Sequence, residues 1–151
     1  TWGTETNTQY QLLDNAFSYV SHELSSDADA TLTISDGTAS DARYMFIKFT
    51  SAVSLTATRT ITLAPDDSSK LWIIDNATTG GQSLTFKQGS SGATITVANG
   101  SSMAIYADGA GATNGAIIDA FNNLNVTGAL TISDADVATT GKAIAMALVF
   151  G

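Results

Sequence analysis

The chain has 151 residues, 44% of them hydrophobic, enough for one domain with a real core. Six Lys and Arg against fourteen Asp and Glu leave a net charge of −8, which repels phosphate backbones and anionic membrane surfaces, so nucleic acid and membrane insertion are excluded as partners. With no cysteine there is no disulfide framework, redox motif or thiolate metal site.

The N-terminal segment, 1–26, is set apart from a β-rich body, 27–151. Tyr10, Leu13, Phe17, Val20 and Leu24 fall at spacings of 3, 4, 3 and 4 and keep to one helical stripe. Thr6 with Gln9, or Thr8 with Gln11, fits a capping box. Together these predict a helix over 8–24. Its stripe either packs on the sheet of its own chain or forms a short coiled-coil seam with other copies. Tyr10 and Phe17 at alternate seam positions are bulky for a two-stranded coil and lean any bundle towards three chains. No basic stretch followed by an apolar one marks a secretory signal, and no apolar run approaches a membrane span. The chain starts with Thr1 rather than Met, which points to a processed chain or a fragment.

Beyond SSDADA the pattern changes to period two. TLTIS (31–35), YMFIKF (44–49), VSLTA (53–57), RTITLA (59–64), KLWIID (70–75), SLTFKQ (83–88), ATITVA (93–98), SMAIYAD (102–108) and GALTIS (128–133) are short, alternating and threonine-rich. Gly, Asn, Asp and Ser fill the turns between them. The expectation is an antiparallel β-sandwich or jelly-roll-like module with one N-terminal α-helix. Residues 70–98 read as a three-stranded meander, and Pro65 ends the strand before it. LTISD occurs twice, at 32–36 and 130–134, a weak sign of duplication. The last segment, GKAIAMALVFG, is apolar at nearly every position and must be covered on both faces. It is read as a central strand or as a subunit interface through Ile144, Met146 and Leu148.

Chemistry is hard to find. The one histidine, His22, lies off the helical stripe and reads as a solvated helix residue. Asp27 with Asp29, Asp66 with Asp67 and Asp134 with Asp136 are spaced to share a hard cation, but aspartate is also an ordinary turn former. Trp72, Tyr106, Tyr44 and Phe86 alternate on strands, as core residues do. Trp72 and Ile74 on one face, with Leu71 and Ile73 on the other, imply a strand buried on both sides. No nucleophile elbow, phosphate loop or His-x-x-x-His pattern occurs. The reading is therefore non-catalytic, with no cofactor and no metal.

The opening WGTETNTQYQLLDNA resembles the W-G-x-x-x-N-x-x-x-x-x-(I/L)-D element that begins many bacteriophage tail-fibre and related virion proteins, with Trp2, Gly3, Asn7, Leu13 and Asp14 at its positions. The stretch from RTITLAPDD to YADGAGA is similar to a β-module of marine and environmental phage fibres. There a K-x-W-x-I-x-N strand and a glycine-bounded hairpin precede a Y-x-D-G turn. KAIAMALVFG resembles C-terminal segments of such proteins. The resemblance implies a virion structural module, homotrimeric, in a tail fibre or tail spike, with other virion proteins and a host surface receptor as partners. A capsid-decorating head fibre and a cellular surface adhesin are the alternatives.

Overall fold

The computed structural model describes residues 1–122. The expected strand at 128–133, the Asp134–Asp136 pair and the apolar run containing Ile144, Met146 and Leu148 lie outside the described residues. The described part is mainly β, in two sheets, with one N-terminal helix, as the alternation and the opening stripe led one to expect.

Helix α1 spans Trp2–Asn15, with Glu5 favourably placed in its first turn. The hydroxyls of Thr6 and Thr8 donate back to the carbonyls of Trp2 and Thr4 at 2.8 and 3.0 Å, bonds of the kind that let threonine tolerate a helix. The helix is thus shorter than the expected 8–24. Val20, His22 and Leu24 fit period two as well as the helical stripe, and a partner strand decides the matter: Tyr19–Leu24 is β1, paired along its length with β3 (Phe46–Ser51). The boundary between N-terminal segment and body accordingly falls at the turn after Asn15.

Seven further strands follow: β2 (Ala30–Thr33), β4 (Arg59–Ala64), β5 (Lys70–Asn76), β6 (Leu84–Lys87), β7 (Ile95–Val97), β8 (Ser102–Ala107) and β9 (Ile117–Asp119). Sheet A has the order β1-β3-β5-β8-β9 and sheet B the order β2-β4-β6-β7. From β1 to β6 consecutive strands alternate between the sheets, so β1, β3 and β5 stack in parallel in one and β2, β4 and β6 in the other. Only β7, β8 and β9 run antiparallel to their neighbours. The expected antiparallel arrangement is corrected to a coil of three rungs closed by reversed strands. Tyr19, Phe46 and Ile73 are in register, 27 residues apart at each step. Residues 70–98 are not a meander either, because β5 and β6 lie in different sheets and only β6 and β7 form a hairpin. VSLTA (53–57) is a link, not a strand, and plugs the core with Leu55.

Alternation gives each strand one inward row. Ile47, Phe49, Trp72, Ile74 and Ile105 from sheet A meet Ile61, Leu63, Leu84, Phe86 and Val97 from sheet B in one buried cluster. Phe49 joins the layers, its ring edge-on to Phe86 with centroids 5.4 Å apart. Trp72 is 1% exposed, and its indole N–H donates to the Ala42 carbonyl at 2.8 Å. Among the described residues Arg43 Nε is buried without a partner, whereas Asn76 is satisfied: its Nδ2 donates to the Gln82 and Val97 carbonyls, and its Oδ1 accepts from Thr78. Gln88 likewise bridges the turns at Pro65, Ser68 and Gly109. β4 ends at Ala64, immediately before Pro65, as expected of a residue without a backbone donor.

Candidate functional site: an apolar face among the described residues

Among the described residues the feature that departs most from an ordinary soluble surface is apolar. Of the expected seam, Leu24 is buried in the core and Val20 packs against it from β1. Tyr10, Leu13 and Phe17 remain outside, 68%, 58% and 70% exposed, and Trp2 is more exposed still. Only Leu12 of α1 is buried. The five residues therefore do not form one stripe: three lie outside on α1 and the turn after it, and two belong to the sheet. A cleft of about 430 Å³ separates α1 from the 36–43 segment, where Leu12, Gln9 and Arg43 line it.

Sheet A continues this exposure in part, with Tyr19, Leu71 and Tyr106 exposed and Phe46, Ile73, Ala104 and Ile118 half-buried. Its outward row across β1, β3, β5 and β8 is Tyr19, Phe46, Ile73 and Ala104, in register. The Tyr19 and Phe46 rings lie 5.3 Å apart. The next row is Leu71, Tyr106 and Ile118. Leu71 is an exposed residue, so β5 is buried on one face only, contrary to the two-sided burial expected of it. Phe86 and Trp72 are core residues as expected, whereas Tyr106 is exposed. Beyond Ile73 the face turns polar, with Ser21, Lys48, Asp75 and Ser102 in register. Sheet B presents a different outer face: Thr31 and Thr62 lead to Lys87, and Thr60, Thr85 and Thr96 align in a second row.

The polar residues singled out in the sequence hold the coil together. His22 is not a solvated helix residue: it lies on β1 with its ring edge-on to Phe49, and its Nδ1 shares a 2.7 Å hydrogen bond with Asp41 Oδ2. Asp27 accepts from Arg59 Nε at 2.7 Å and from the Thr56 amide and hydroxyl, tying the first rung to the second. Those bonds, the Arg59 one foremost, hold its pKa down at about 2, and Asp27 in return raises that of Arg59. Asp29 accepts from the Thr60 amide. Asp27 and Asp29 are thus bonded into separate contacts rather than aimed at a shared point. Asp108 accepts from the amides of Ala116 and Ala110, which lower its pKa in that order. Burial, with Arg43 nearby, lowers that of Lys70, whose ammonium sits 5.8 Å from the Trp72 ring centre. No group of three or more His, Asp or Glu side chains is placed to hold a metal among the described residues. No described helix is long and apolar enough to cross a membrane.

In comparison with known proteins the chain matches no family model, no curated protein and no solved structure. The outward row of sheet A was missed in the sequence. The signal was there in Tyr19, Phe46 and Ile73 at equal spacing, but it is legible only once parallel stacking is known.

Proposed function

We propose that this chain is a non-catalytic structural module of a virion, part of a tail fibre or tail spike, that works as a homotrimer in attachment to a host surface. The observation that carries the reading is the apolar outer face of sheet A together with the exposed residues of α1. Contiguous apolar surface of this kind marks an interaction site on a soluble protein. Helix α1, about 21 Å long, is also short enough to be marginal without tertiary support. Only one of its residues is buried, so a partner is needed to order it. The resemblance of Trp2, Gly3, Asn7, Leu13 and Asp14 to the opening of phage fibre proteins supplies the setting. A stacked coil also suits a load-bearing shaft, because each rung is pinned to the next by a full ladder of backbone hydrogen bonds.

Light scattering coupled to size exclusion tests the assembly: the full chain is expected at three times its 15.5 kDa mass. A monomer at micromolar concentration contradicts the proposal. Antibody labelling of particles that carry the chain tests the setting, with label expected at the tail; label over the head lattice contradicts a fibre or spike.

A further inference from the structure

The two edges of sheet A are unlike each other in shape. At the β1 edge two aromatic rings, Phe17 and Tyr19, are exposed within three residues. At the opposite side Phe121, exposed beside Ile73 and Ala104, walls an open groove of about 400 Å³ with Ser102 and Asp119 at its rim. The groove's apolar lining of Ile73, Met103, Ala104 and Phe121 suits contact with an aromatic ring. Tyr19 and Ala104 are three strands apart in the same row, about 14 Å at the usual strand spacing. Knob and groove therefore cannot meet within one copy.

Charge argues for the same occupant. A net charge of −8 makes copies of this chain repel one another over most of their surface. The two outward rows, Tyr19 to Ala104 and Leu71 to Ile118, hold no charged side chain, and the adjoining row places Lys48 next to Asp75. Apart from Asp119 at the rim of the groove, this is a face on which two acidic copies meet little repulsion. The sheet measures about 19 Å across its five strands and about 20 Å along them, roughly 400 Å² in projection. Because knob and groove share this face, one contact covers about half of it together with part of α1, a small interface beside the roughly 800 Å² per partner of a standard one.

The geometry points to a second copy of this chain as the occupant, with Tyr19 of one copy seated in the Ile73–Ala104–Phe121 groove of the next. Knob and groove are different patches, so the contact is heterologous and forms a ring where the rotation closes. Closure at three rests on the trimeric reading proposed above.

Opposite charges placed on the two patches test this. Tyr19→Lys and Ala104→Glu are each expected to weaken self-association at least about a hundredfold, because each leaves an unpaired charge in a desolvated contact. Far-ultraviolet circular dichroism of each variant should keep its β signal and lose at most that of α1, and the melting temperature should fall no further than that of the parent chain diluted until it dissociates. Combining both substitutions in one chain is expected to restore association at low salt and to lose it again at high salt, since at every contact of the ring the ammonium on one copy then meets the carboxylate on the next. Should either variant unfold, Tyr106→Lys asks the same question of the neighbouring row. A parent trimer that both variants preserve would overturn the docking face while leaving the trimeric reading intact. A monomeric parent chain would overturn that reading and the docking face together. A monomer whose melting temperature falls with Ala104→Glu would show that the chain covers this face itself, which also overturns the proposal.

Discussion

The outer faces of the two sheets differ although the coil is built the same way on both sides. Sheet B turns threonines to the outside, and Thr85 and Thr96 share a 2.9 Å hydrogen bond across their strands. Sheet A turns out Tyr19, Phe46, Ile73, Leu71 and Tyr106. Their inner faces are alike, filled with Ile, Leu, Phe and Val, with Trp72 added on sheet A. Threonine meets the needs of an outward strand position on its own, since it favours extended backbone and leaves a hydroxyl for water. Large apolar side chains meet the first need and fail the second. The fold of the described residues therefore explains the threonine face, and the contact with another copy proposed above is what would account for the aromatic one.

The strongest way to break this contrast is from inside, where both sheets depend on the same core. Trp72→Ala should cost about 3–5 kcal/mol, through the cavity it leaves and the lost bond to the Ala42 carbonyl. It should lower the denaturation midpoint of the described body as one transition. The corner that carries the chain from sheet A to sheet B is the next most sensitive place. Gly80 has φ +100, and a Cβ there would run into the backbone of Leu55 in the rung below. Gly80→Ala is expected to cost about 1–3 kcal/mol in the same denaturation experiment, the usual scale of a strained backbone position.

Surface changes sharpen the comparison directly. Thr62→Lys on sheet B and Leu71→Lys on sheet A both occupy outward strand positions, so each should shift folding stability by no more than about 0.5 kcal/mol in the dissociated chain. Only Leu71→Lys should reduce the sedimentation coefficient of the assembled protein. The smallest effect is expected at Asp27. Its carboxyl titrates at about 2 in the folded chain, below the ordinary value of 3.8, so the folded state favours its ionised form. That contribution is complete above pH 4 and is lost as pH falls towards 2. Asp27→Asn should flatten this part of the acid denaturation curve and leave the neutral-pH slope unchanged.

The strands were legible because alternation reports a strand whatever its partner: KLWIID and RTITLA fall almost on β5 and β4. Pairing direction was not legible for the same reason. The links after Leu24, Ser51 and Asn76 have the length and composition of hairpin loops, yet they carry the chain across to the other sheet. In sheet A the strands repeat by spacing rather than by sequence identity, and only the register of Tyr19, Phe46 and Ile73 reveals the 27-residue step, whereas in sheet B the steps are 31 and then 25 residues. The helix was half legible: Tyr10 and Leu13 sit on α1, but Val20 and Leu24 satisfy both periods, and the β3 partner that decides between them is 27 residues away. His22 could not be matched to Asp41 without the one-turn helix at Asp41–Arg43 that brings the carboxylate to it.

The central claim is that Tyr19 of one copy meets Ala104 of another, and a crosslink tests it most directly. The natural chain has no cysteine, so Tyr19→Cys combined with Ala104→Cys introduces the sole thiols. Within one copy these positions are about 14 Å apart, and a disulfide tolerates no more than about 7 Å between Cα atoms. Mild oxidation of the assembled double variant should therefore give covalent dimers and trimers on a non-reducing denaturing gel, abolished by reductant. A band at the monomer mass alone, from a protein that light scattering shows to be assembled, would contradict the account.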